Sequence, residues 1–187
     1  MENRVLSWFS SEAQARRTAL KLYGAVVAQA RQPGFFAVLG VSDTPEGRTD
    51  MIILHLFIVL ERLNAAGAEG RKAARALSEI FVTDIDDCLR EMGVGDLSVP
   101  KKVKRAAQAM GERCQAYQRA ATSAPDGSLL VPEIASTVSD LGENPASAAA
   151  LARYVLTGRS HVAAMSDSVL LAGEVGFSPL QTMEQKP

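Results

Sequence analysis

Histidine, cysteine and tryptophan are scarce in this chain: two, two and one among 187 residues. Neither His55 nor His161 has a second His or a Cys at a zinc-ligand spacing, so no metal site built on imidazole is expected. With so few histidines, bis-histidine heme ligation is not expected either, and no cofactor is implied. Cys88 and Cys114 form no Cys-x-x-Cys pair and each falls in a helical pattern, which fits a reduced, cytoplasmic protein rather than a disulfide framework. Long apolar runs are missing too. The longest, Met51–Leu60, is ten residues, half of the roughly 20 that a membrane-spanning helix needs. The opening MENRVLSWFSSEAQARR has neither the apolar core of a signal peptide nor the acid-poor, Arg-rich character of a transit sequence. Net charge is also lacking: at −1 the chain exerts no global pull on nucleic acid or anionic lipid, so electrostatic recognition must come from local patches.

Catalytic constellations are equally absent. There is no Gly-x-x-x-x-Gly-Lys phosphate loop, and Gly93-Val94-Gly95 lacks the third glycine and the preceding strand of a dinucleotide turn. Asp84-Ile85-Asp86-Asp87 resembles the start of a calcium loop, but Leu89 stands where an EF-hand needs glycine and Gly95 where it needs glutamate. No Glu-x-x-His pairs support a di-iron bundle. No histidine lies in a context that suggests a nucleophilic triad. His55, set among apolar residues, is expected to be a core histidine bonded to a backbone or side-chain partner. His55, Asp84 and Asp87 are the only raw material for an unfamiliar active site, and the chain is expected not to be an enzyme.

What the sequence has in abundance is helical periodicity. Ser11-Glu12-Ala13-Gln14 reads as a capping box opening a helix to about Arg31, with Leu20, Tyr23, Val27 and Ala30 inward. Pro33 and Gly40 bracket a short helical piece, Phe35 to Leu39. Asp43-Thr44-Pro45-Glu46 starts a third helix, and its MIILHLFIVL stretch, apolar on all sides, predicts a central helix packed by neighbours all round. A fourth helix is expected from about Gly70 to Met92, with Leu77, Ile80, Phe81, Ile85, Cys88, Leu89 and Met92 inward and Gly93 as its left-handed terminator. Pro100 starts a fifth, to about Ala121, with Val103, Ala107, Met110, Cys114 and Tyr117 inward. Shorter helices follow at Pro132–Leu141, after Asn144-Pro145, and at Ser166–Gly173. The expected fold class is therefore all-α, a single-domain bundle of about six to eight helices around a central apolar helix. Its expected limits are residues 11–175, between an N-terminal segment, 1–10, and a frayed tail, 176–187.

Charge is segregated around the turn between the fourth and fifth helices. Six acids and one base lie between Glu79 and Asp96, then six bases and one acid between Val99 and Arg119. Glu91 at the end of the fourth helix and Lys101, Lys102 and Lys104 at the start of the fifth oppose the helix dipole, which disfavours acids at a C-terminus and bases at an N-terminus. Two readings stay open. Asp84, Asp87 and Glu91 pair with Lys101, Lys104 and Arg105 if the two helices fold back on each other. Alternatively Lys101, Lys102, Lys104 and Arg105 are a ribosome- or RNA-binding surface that contacts backbone phosphate, since the patch has no aromatic residue on which a base would stack. Lys101 and Lys102 point about 100° apart, so at least one base is expected to be left over.

Several stretches in fixed order carry a resemblance: Leu22-Tyr23-Gly24-Ala25-Val26-Val27-Ala28-Gln29-Ala30-Arg31; Asp43-Thr44-Pro45-Glu46-Gly47-Arg48 with Asp50-Met51 and His55-Leu56-Phe57; Leu89-Arg90-Glu91-Met92-Gly93-Val94-Gly95-Asp96; and Val99-Pro100-Lys101-Lys102-Val103-Lys104. Together they resemble the ubiquinol-cytochrome c chaperone family, closely from Arg17 to Tyr117 and more loosely beyond. The resemblance implies a non-enzymatic chaperone for cytochrome b in assembly of the cytochrome bc1 complex of the respiratory chain. Its implied partners are newly synthesised cytochrome b, the ribosome near its exit tunnel and a small helical co-chaperone, with no DNA. With no evident mitochondrial presequence and a shorter N-terminal region, the chain looks like a bacterial member. It is expected in the cytoplasm, peripheral at the cytoplasmic face of the inner membrane. A membrane-helix client would need an apolar groove, for which Phe35, Phe36, Leu39 and Val41 with the inner face of the third helix are the candidates. Partner binding is thus assigned to Lys101, Lys102, Lys104, Arg105, Phe35 and Phe36, with no catalytic, cofactor or metal residue.

Overall fold

Capping residues, proline and glycine divide the periodic sequence into helices, and the computed structural model describes residues 2–178, with side chains from Ser11 onward. Among them are eight helices and no strand: α1 (Glu2–Ala30), α2 (Pro33–Ala37), α3 (Pro45–Ala65), α4 (Gly67–Glu91), α5 (Val99–Ser123), α6 (Leu130–Thr137), α7 (Pro145–Ala163) and α8 (Asp167–Leu171). The all-α expectation holds. The helices form two compact units.

The first unit takes the chain up to Ala25, Leu60–Glu112 and Met165–Val175. Its α1 begins well before Ser11, so the capping box does not form. Because the helical backbone runs on to Glu2, Ser11 is an interior residue whose hydroxyl donates to Glu69 (2.7 Å) and accepts from Lys72 (2.7 Å). The inward stripe also differs from the expected one. Of the expected residues Tyr23 and Ala30 are buried and Val27 is half-buried, but Leu20 is 51% exposed, and Ala15, Ala19, Leu22 and Val26 are buried in its place. In an alanine-rich helix two neighbouring stripes have the same spacing, and small side chains favour the one that lets backbones approach.

The short helix α8 is tied to α1 by Thr18 Oγ1 donating to the Leu171 carbonyl (2.6 Å) and Lys21 Nζ donating to that of Ala172 (3.1 Å). Arg62, near the end of α3, donates to the Met165 carbonyl (2.7 Å) and to Asp167 (2.5 Å). A single residue, Ala66, separates α3 from α4. At Gly70 any Cβ would lie 2.2 Å from the Leu63 carbonyl oxygen, so only glycine fits there. Along α4, Ala73, Ala74, Leu77 and Phe81 are buried, Ile80, Ile85 and Leu89 are half-buried, and Cys88 and Met92 are exposed. The expected core face is therefore fully buried at Leu77 and Phe81, partly covered at Ile80, Ile85 and Leu89, and open to solvent at Cys88 and Met92.

The second unit takes Val26–Val59, Arg113–Ala164 and the chain from Gly176 on. Thr44 caps α3 by accepting from the Gly47 N–H (3.2 Å), with Pro45 in the first turn as expected. Every residue from Met51 to Val59 is buried. Phe57 packs against Tyr117 of α5 with ring centroids 5.6 Å apart, and Gly158 of α7 brings its backbone against Ile58. Asn144 caps α7 through the Ser147 N–H. Helix α6 stops at Thr137, earlier than expected. Beyond it Ser139 donates its N–H (3.0 Å) and hydroxyl (2.6 Å) to Asp50, and Asp140 adopts a left-handed conformation.

Candidate partner-binding site

In the first unit, α4 ends in a Schellman motif built on Gly93. Its φ of 75° lets the Gly93 N–H reach the Arg90 carbonyl (2.9 Å) and the Val94 N–H reach that of Leu89 (3.0 Å). The chain turns again at Gly95, whose carbonyl accepts from Ser98 (2.8 Å), and α5 begins with Val99 fully buried. Between these two anchors the turn presents its side chains outward. Leu97 is 98% exposed and Met92 57%.

The acids here have partners of their own. Arg90 donates Nε to Asp86 (2.6 Å) and Nη1 to Asp96 (3.0 Å), and Asp84 accepts from the Tyr23 hydroxyl (2.7 Å). None of the expected pairs of Asp84, Asp87 and Glu91 with Lys101, Lys104 and Arg105 is formed. The side chains of Lys101, Lys102, Lys104 and Arg105 are exposed and form no hydrogen bond or ion pair with any described residue. Val99, Val103, Ala106 and Met110 occupy the inward side of α5, which places Lys101, Lys104 and Arg105 together on its outward side and Lys102 on the flank. Four bases with no partner among the described residues thus follow a turn that carries two exposed apolar side chains.

The second unit holds the two phenylalanines. Phe35 is fully enclosed, edge-on to His55 (centroids 5.4 Å) and Tyr154 (5.1 Å). Leu39 and Val41 are also buried, so three of the four residues proposed to line an apolar groove belong to the core. Phe36 is half-buried, and Val38, not singled out from sequence, is 51% exposed. Those two form the apolar edge beside α2.

His55 is a core histidine, as expected. Its Nδ1 lies 2.7 Å from the Met51 carbonyl, which only accepts, so Nδ1 carries the proton. Nε2 then accepts from the Tyr154 hydroxyl (2.8 Å), which in turn accepts from Gln29 (3.1 Å). Burial pushes the imidazole pKa down to about 4, and that of Tyr154 up to about 12. Phe177, in the expected frayed tail, closes the cluster edge-on to His55 (5.2 Å); the tail beyond Ser178 lies outside the described residues. Both ring nitrogens have partners within the protein.

The Asp50 cluster carries no signal in the sequence pattern. Asp50, 6% exposed, binds Arg113 of α5 through one oxygen and Ser139 through the other. No group of His, Cys, Asp and Glu among the described residues is placed to hold a metal ion, and no described helix is long and apolar enough to cross a membrane.

Comparison with known proteins agrees with this architecture. Residues 37–177 match the family described as ubiquinol-cytochrome C chaperone. The structure is similar to the crystal structure of the Cbp3 homolog from Brucella abortus, with a TM-score of 0.81 and 33% identity, over 94% of this chain and 97% of that one. No curated protein matches the sequence.

Proposed function

The chain belongs to the ubiquinol-cytochrome c chaperone family, and from that premise we propose that it is a non-enzymatic assembly factor that holds newly made cytochrome b during biogenesis of the cytochrome bc1 complex. The family match over 37–177 carries this reading. The site chemistry supports it: the buried imidazole is neutral with both nitrogens bonded internally, whereas the exposed features are apolar edges and unpaired bases, which suit binding rather than bond-making.

Cytochrome b is a client rich in membrane helices, so it is expected to meet an apolar edge on the cytoplasmic side of the inner membrane. Phe36 and Val38 supply the candidate edge. Removing the gene from its native organism should lower assembled bc1 complex and b-type heme absorbance while sparing other respiratory complexes. Unchanged bc1 levels would remove the proposal. Crosslinking followed by affinity purification identifies the partners directly: cytochrome b is expected, a small helical co-chaperone would extend the assembly, and recovery without cytochrome b counts against the reading. Phe36→Asp should reduce the recovered cytochrome b several-fold, because a carboxylate at a half-buried apolar contact is desolvated on binding.

A further inference from the structure

We infer that the turn between α4 and α5 docks on the surface of a bilayer containing anionic phospholipid, with Leu97 and Met92 entering the headgroup region and Lys101, Lys102, Lys104 and Arg105 lying against its phosphates. Three observations converge on this occupant. Leu97 is almost wholly exposed although Val99, two residues on, is fully buried, so the turn holds an aliphatic side chain away from the protein while its base is anchored. Met92, past the end of α4, adds a second apolar group to the same turn. The four bases that follow have no hydrogen-bond or ion-pair partner among the described residues, while Asp86 and Asp96 are bonded to Arg90 and Asp84 to Tyr23. Asp87 and Glu91, also on α4, make no ion pair with the bases.

Apolar groups flanked by lysine and arginine are what a monotopic contact requires. The aliphatic side chains gain by leaving water, and the bases gain from the negative surface potential. A nucleic acid would use the bases equally well but has no use for an exposed leucine, and the patch offers no aromatic ring on which to stack a base. The net charge of −1 means that the whole molecule is not drawn to such a surface, so attraction depends on the patch alone. No described helix can span the bilayer, which leaves the contact superficial.

The test is flotation of the purified full chain with vesicles of phosphatidylcholine alone and of phosphatidylcholine with about 30% phosphatidylglycerol, at low and high salt. Binding is expected to the anionic vesicles only, and to weaken as salt rises. Each base replaced by glutamine should lower partitioning about fivefold, the equivalent of about 1 kcal/mol per basic residue at such a surface. The variant with all four replaced should fall to the level of neutral vesicles. Leu97→Ser, which leaves charge untouched, should also weaken vesicle binding several-fold; all these residues are exposed, and circular dichroism checks that the variants keep their helix content. Absence of binding to anionic vesicles, or binding indifferent to the four substitutions, overturns the proposal. So does salt-sensitive binding to transfer RNA that loses the four bases but ignores Leu97→Ser, without any vesicle binding. Because no cytochrome b is present, the result is independent of the proposed client.

Discussion

His55 ties stability to pH in a direction that its surroundings dictate. Above about pH 6.5 the ring is neutral in both folded and unfolded chains and contributes no pH dependence. Below it, the unfolded chain takes up a proton that the folded ring, with its pKa held near 4, refuses. Stability should therefore fall as pH drops through this window, by about 2 kcal/mol between pH 7 and pH 5 from this residue alone, and stop falling on its account below about pH 4. His55→Gln should be less stable at pH 7, having lost the bonds to Met51 and Tyr154, but should show a flatter pH dependence in denaturant melts. Parallel curves for the two proteins would refute the assignment. Asp50 makes a complementary case. Asp50→Ala leaves Arg113 and both Ser139 donors without their acceptor, and should cost about 3 to 5 kcal/mol of unfolding free energy. The burial of His55 was legible in the sequence from its apolar neighbours. The Asp50 cluster was not, because an acid near the start of a helix looks like an ordinary dipole partner and its serine lies 89 residues away.

Helix boundaries depend on glycines that act for two different reasons, and substitution separates them. Gly93 has open space around its missing Cβ but a φ of 75°, so Gly93→Ala should cost only about 1 to 2 kcal/mol of left-handed strain. Gly47 and Gly70 have ordinary helical conformations but face carbonyl oxygens at 2.0 and 2.2 Å from where a Cβ would sit. Alanine there must move backbone, so thermal melts should rank Gly47→Ala and Gly70→Ala as the more damaging. The reverse order would contradict the packing described. Local terminators were readable in advance: Gly93 after α4, Asn144 before α7 and Pro45 in the first turn of α3 act where spacing and residue type place them. The true start of α1 was not, because Ser11-x-x-Gln14 is a cap only if the preceding backbone leaves the helix. Nor was the exposed end of α4 legible, since the helical spacing of Ile85, Leu89 and Met92 continues past the point where neighbours stop covering it.

For the whole molecule, the proposed client-binding edge at α2 and the proposed membrane-docking turn are two surfaces that can be told apart in the cell. If Lys101, Lys102, Lys104 and Arg105 only tether, their contribution is a local concentration at the bilayer, which another anchor supplies equally well. Family membership was legible from ordered motifs, but which apolar side chains reach the surface was not, because burial alone distinguishes Phe35, enclosed by His55 and Tyr154, from Leu97, which touches almost nothing. The chain with all four bases changed to glutamine should support reduced bc1 assembly in its native organism, measured as b-type heme absorbance. Fusing an unrelated membrane-spanning helix to that variant should restore assembly, since the client-binding edge is untouched. The same fusion on Phe36→Asp should restore nothing, because bringing the protein to the membrane does not replace a lost grip. Failure of the anchor to rescue the four-base variant would mean that these side chains contact the client itself, and rescue of Phe36→Asp would mean that α2 does not.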